Sequence, residues 1–101
     1  IKMILVTVKD KVIEITGHAQ YDDYGKDIVC SAASSIVTTT INGILSINDK
    51  AISYELLKDK MIINRLSDDD ITLKLIDNMM ELLKKLSIDY PKNIKIKEGV
   101  K

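Results

Sequence analysis

The chain has 101 residues, with fifteen basic and fifteen acidic side chains, one histidine and one cysteine. That length suits a single domain with its own core, and a formal net charge of zero excludes the overall cationic field by which non-specific nucleic-acid binders displace counterions. One cysteine excludes an internal disulfide; no apolar stretch is read as reaching the ~20 residues of a membrane span, and no charged-then-apolar leader is read at the N-terminus, so the expectation is a cytoplasmic protein with no membrane partner.

In chain order, residues 2–9 and Val12–Thr16 are rich in β-branched side chains and flank Asp10-Lys11, which predicts a hairpin with a short turn. From Asp27 to about Leu45, the apolar residues Val29, Ala33, Ile36, Val37 and Ile44 recur at helical spacing. Asp27 is suited to cap that helix, whereas Thr38-Thr39-Thr40 and Gly43 weaken its second half. Residues 52–57 and 60–66 predict a second hairpin around Lys58-Asp59. Ser67 stands three residues before Asp70 in a capping-box-like start for a second helix, which Pro91 ends. Its stripe of Leu73, Ile76, Met79, Met80, Leu82, Leu83 and Leu86 is wider than one sheet contact requires, and a homodimer through this helix or a sheet edge is expected to cover the surplus. Residues 93–97 alternate as a last strand, at an edge where lysines discourage further pairing. The order ββαββαβ predicts a two-layer α+β domain, two helices on a mostly antiparallel sheet, spanning residues 1–101.

His18 and Cys30 lie twelve residues apart across one loop and are the minimum parts of a cysteine nucleophile. The imidazole can take the thiol proton and return it to a leaving group, and no second such pair can be built within a subunit. Helix propagation from Asp27 puts Cys30 in the first turn, where unpaired N–H groups and the helix dipole favour an anion and can also receive an oxyanion. Cys30 is read on a face with Ser34 and Thr38, partly exposed and away from the apolar stripe; the alternative is a small buried core residue. His18, just after Gly17, is read as general base and acid against the alternative of a surface histidine at a strand end. Asp27 either supports the imidazole or only caps the helix. Gly17, Tyr21, Tyr24, Gly25 and Ser34 are candidate substrate-binding residues, the tyrosines as apolar walls, Gly25 as part of a gating loop, and Ser34 as a small residue that lets a peptide backbone approach.

Gly17-His18-Ala19, then Tyr24-Gly25-Lys26-Asp27-Ile28-Val29-Cys30-Ser31-Ala32, with Asn42-Gly43-Ile44 downstream and Tyr90-Pro91 before Ile94-Lys95-Ile96-Lys97, resembles the bacterial ribosomal-processing cysteine protease (Prp, YsxB-like) family along essentially the whole chain. Residue 20 is Gln where many members have Gly. The resemblance implies His18 and Cys30 as the catalytic pair of an endopeptidase that removes a short N-terminal extension from a ribosomal large-subunit protein precursor. No cofactor, metal or direct nucleic-acid contact is expected. The rivals are a zinc site shared between two subunits, for which no CxxC or HxxxH spacing exists, and a non-enzymatic ribosome-assembly or protein-interaction module.

Overall fold

The structure, a computed structural model, describes residues 3–17 and 28–99. The elements are β1 (Ile4–Lys9), β2 (Val12–Thr16), α1 (Ile28–Ile47), β3 (Ile52–Leu56), β4 (Lys60–Arg65), α2 (Asp70–Asp89) and β5 (Ile94–Glu98). They form one five-stranded sheet in the order β3-β4-β2-β1-β5, antiparallel except for the parallel pair β1–β5. The ββαββαβ order and the α+β class follow the sequence expectation.

Register explains which face is the core. Val6 is opposite both Ile15 on β2 and Ile96 on β5, and Ile13 is opposite Ile63 on β4, so alternate β-branched residues line one face and both helices cover it. The opposite face carries Thr7, Glu14, Lys60 and Lys97, with Lys60 Nζ 3.6 Å from Glu14. β1 turns into β2 through Asp10, whose φ of 59° is a left-handed conformation that Asp tolerates.

Helix α1 runs two residues past its expected end. Val37, Ile41 and Ile44 are buried, and that packing outweighs the poor propensity of Thr38-Thr39-Thr40 and Gly43. The Thr40 hydroxyl donates back to the Ile36 carbonyl at 2.9 Å. One expectation needs correcting here: α1 carries no charged side chain along its 20 residues and is long and apolar enough to cross a membrane by length and composition. In this fold it is a core helix, with Val29, Ala33, Val37, Ile41 and Ile44 turned into the sheet and α2.

Helix α2 also departs from expectation in two respects. Its N-cap is Asp69, not Ser67, because the Asp69 carboxylate receives the Thr72 N–H at 2.8 Å and the Thr72 hydroxyl at 3.0 Å while Ser67 donates to it from outside the helix. The Ser67 hydroxyl, followed by the two Thr72 bonds, holds the Asp69 carboxyl below its ordinary range. The wide apolar stripe is absorbed within the domain: Ile76, Met79, Met80 and Leu83 are buried between α1 and the sheet, and of the stripe only Leu82 is exposed. Surplus on this stripe therefore gives no reason for a dimer.

Gly17 ends β2 at φ 77°, and a Cβ there would overlap the backbone carbonyl of Met3. Both the conformation and the close approach require glycine at the point where the chain leaves the sheet. Gly17→Ala is therefore expected to lower stability by about 2 kcal/mol or more, as strain and backbone displacement add; urea unfolding of the purified variant measures it.

Candidate active site

Cys30 is the third residue of α1, so the N-terminal end of the helix presents it as expected, in the turn whose N–H groups have no intrahelical acceptors. It is more enclosed than the sequence suggested. Only 8 % of its surface is exposed, and it belongs to the core cluster instead of a partly exposed face. The reason is geometric: Ala33 and Val37, assigned to the apolar stripe, and Ser34 and Thr38, assigned to a separate face, all line one cavity with Cys30. The side of the helix that packs on the sheet and the side that presents the thiol overlap.

That cavity has a volume of about 200 Å³ and lies between the first half of α1 and the ends of β1, β2, β3 and β4. Its floor includes Val6, Ile15 and Met61, its mouth includes Leu56, and among the described residues no charged side chain lines it. A cavity of about 150 Å³ holds a benzene molecule, so this space suits one large apolar side chain and little more. An anion on Cys30 would be favoured by the α1 N-terminus and opposed by the apolar floor.

Of the candidate substrate-binding residues, Ser34 lines the cavity beside Cys30. Gly17 lies two residues beyond Ile15, itself in the cavity floor, and its role in the structure is the close passage past Met3. His18, Tyr21, Tyr24, Gly25 and Asp27, with the loop between Gly17 and Ile28, lie outside the described residues. Among the described residues no group of three or more His, Cys, Asp or Glu side chains stands together in a way that could hold a metal ion. Leu56 and Met61, which were not among the candidate residues, also line the cavity. A signal for Leu56 was present: Leu56-Leu57 breaks the polar alternation of the hairpin just where its turn begins.

With this geometry in place, the chain can be set beside known proteins. A family model described as cysteine protease Prp matches residues 3–95. The ribosomal processing cysteine protease Prp of Staphylococcus aureus (strain Mu50) is 28% identical over 98 residues, covering 90% of this chain and 92% of that protein. Two crystal structures share the fold. The essential ribosomal processing protease Prp from S. aureus, in complex with a covalently linked product peptide, superimposes with a TM-score of 0.82 at 22% identity, covering 98% of this chain and 100% of that one. SMU.848 from Streptococcus mutans does so with a TM-score of 0.80 at 24% identity, covering 96% and 94%.

Enclosure of the thiol has a measurable consequence. Cys30 should react with small neutral iodoacetamide at least about tenfold faster than with a bulky anionic maleimide, after each rate is normalised to glutathione, because only the small reagent fits the cavity. Mass spectrometry of the intact chain over time reads both rates.

Proposed function

The chain belongs to the cysteine protease Prp family, and from that membership we propose that it is a cysteine endopeptidase that removes a short N-terminal extension from a ribosomal large-subunit protein. The observation that carries this reading is the placement of Cys30, the chain's one thiol, in the first turn of α1 at an apolar cavity sized for one substrate side chain.

The chemistry follows from that placement and from the role that the family resemblance gives His18. The imidazole removes the thiol proton and the thiolate attacks the scissile carbonyl carbon, pushing its π electrons onto oxygen. N–H groups in the first turn of α1, which have no acceptors within the helix, are suited to receive that oxyanion. As the tetrahedral intermediate collapses, the C–N bond breaks and the imidazolium gives its proton to the departing amine, leaving a thioester on Cys30. Water, deprotonated by the same imidazole, attacks the thioester; the C–S bond breaks and the thiolate is restored. Asp27 either steadies the imidazole or caps the helix, and Gly17, Tyr21, Tyr24, Gly25 and Ser34 contact the peptide. No cofactor or metal enters this cycle, and the compartment is the cytoplasm.

A homodimer is part of the reading. With the α2 stripe absorbed, its support is a different apolar surface at the last turn of that helix, where Ile88 is 75% exposed and Met3 and Tyr90 are also exposed. Sedimentation is expected to give a species twice the 11.3 kDa chain mass, and Ile88→Asp is expected to shift it to the monomer; a wild-type chain that stays monomeric at micromolar concentration contradicts the dimer.

Synthetic peptides copying the N-termini of the source organism's large-subunit proteins test the activity. Cys30→Ser should leave the fold intact and reduce kcat/KM by about 10³-fold or more, and His18→Ala should cost nearly as much alone as in the double variant, since nucleophile and base act as a unit. Undiminished cleavage by Cys30→Ser would exclude this reading.

A further inference from the structure

The two edges of the sheet are finished differently. β5 closes one side with Lys95, Lys97 and Glu98, charges of the kind that keep an edge from pairing. Among the described residues β3 closes the other, and beyond the buried Ile52 its helix-facing side chains are apolar yet uncovered: Tyr54 is 44% and Leu56 66% exposed, with Leu57 beside them at 54%. An apolar edge left open in this way is a pairing hazard unless something binds there.

The hydrogen-bond phase of β3 says what could bind. At one end the Leu57 N–H donates to the Lys60 carbonyl at 2.7 Å; at the other the Ala51 carbonyl accepts from the N–H of Leu66 at 2.8 Å. In an antiparallel ladder residues alternate between bonding the partner strand and turning their backbone groups away. Residues 51, 53, 55 and 57 therefore bond β4, and the N–H and C=O of Tyr54 and Leu56 point to the open edge. Both side chains stand on the helix side of the sheet, as does that of the buried Ile52, and Leu56 is at the mouth of the Cys30 cavity.

We propose that the substrate peptide docks as a sixth strand on the open edge of β3, bonded to the backbone of Tyr54 and Leu56, with the residues that continue from the paired segment crossing Leu56 to place one apolar side chain in the cavity and the scissile bond at Cys30. This rests on the endopeptidase reading and specifies how its substrate is held. Strand addition supplies affinity through main-chain bonds that any sequence offers, and the cavity supplies the choice of side chain. The occupant is an extended peptide because the edge presents backbone donors and acceptors in strand register, continuous with the cavity of the nucleophile. A helix would satisfy its own backbone and leave those groups unpaired.

The test is a scan of a cleavable N-terminal peptide in which each backbone N–H flanking the scissile bond is N-methylated in turn. On one side of that bond, kcat/KM should fall roughly three- to tenfold at every second residue and stay within about twofold at the residues between, as expected for single backbone hydrogen bonds. Leu56→Asp should raise KM by a similar factor while its urea-unfolding midpoint stays close to wild type, which shows that the fold is intact. A scan without period two, or a Leu56→Asp variant that cleaves normally, overturns the docking mode while leaving the protease reading standing. If Leu56→Asp instead changes only the sedimentation of the chain, the edge belongs to a second copy and the proposal fails. A wild-type chain that cleaves no such peptide removes the protease reading and this inference together.

Discussion

The seating of α1 on the sheet is the constraint from which the site follows. Val29, Ala33, Val37, Ile41 and Ile44 are each at most 5% exposed and fix the helix along its length, so the position of its first turn is not free to vary. At about 0.8 kcal/mol per buried methylene, such a row contributes several kcal/mol and holds the helix more firmly than its own Thr-rich and Gly-containing sequence would. Cys30 is carried into place by that packing. The cost is enclosure of the thiol, and the cavity is what restores access.

The same seating leaves the domain asymmetric. α2 fills the space between α1 and β5, and an ion pair of 2.6 Å from Lys84 to Glu98 joins its last turns to that strand. On the other side β3 is buried at Ile52 and exposed from Ser53 to Leu56, so among the described residues the sheet is covered at one edge and open at the other. The open edge lies on the side where the Cys30 cavity opens at Leu56.

Much of this was legible in the chain. Both hairpins follow from β-branched runs around Asp10-Lys11 and Lys58-Asp59, and α1 begins where the spacing of Val29, Ala33 and Val37 requires. What escaped reading was mostly non-local. Alternation identifies residues 93–97 as a strand, one residue off the observed Ile94–Glu98, but not that its neighbour is β1, in parallel. The width of the α2 stripe shows how much must be buried, not that α1 is the cover. Burial of Cys30 depends on the angle at which α1 crosses the sheet, which a helical wheel does not contain. Capping by Asp69 in place of Ser67 is a local competition between two good caps, decided by the carboxylate's reach to both donors of Thr72. For the site itself, Cys30 and Ser34 are readable from residue type and spacing and line one cavity, whereas the reading of His18 rests on its pairing with the one thiol and on the motif resemblance.

The most direct measurement of the central claim, that Cys30 is a nucleophile at a helix start, is intact-mass spectrometry of an acid-quenched reaction with a cleavable N-terminal peptide. The account predicts a transient species heavier than the chain by the mass of the released N-terminal fragment less one water, mapped to Cys30 and removed by hydroxylamine as a thioester is. Cleavage that proceeds with no such adduct in wild type, or with the adduct on another residue, would contradict it.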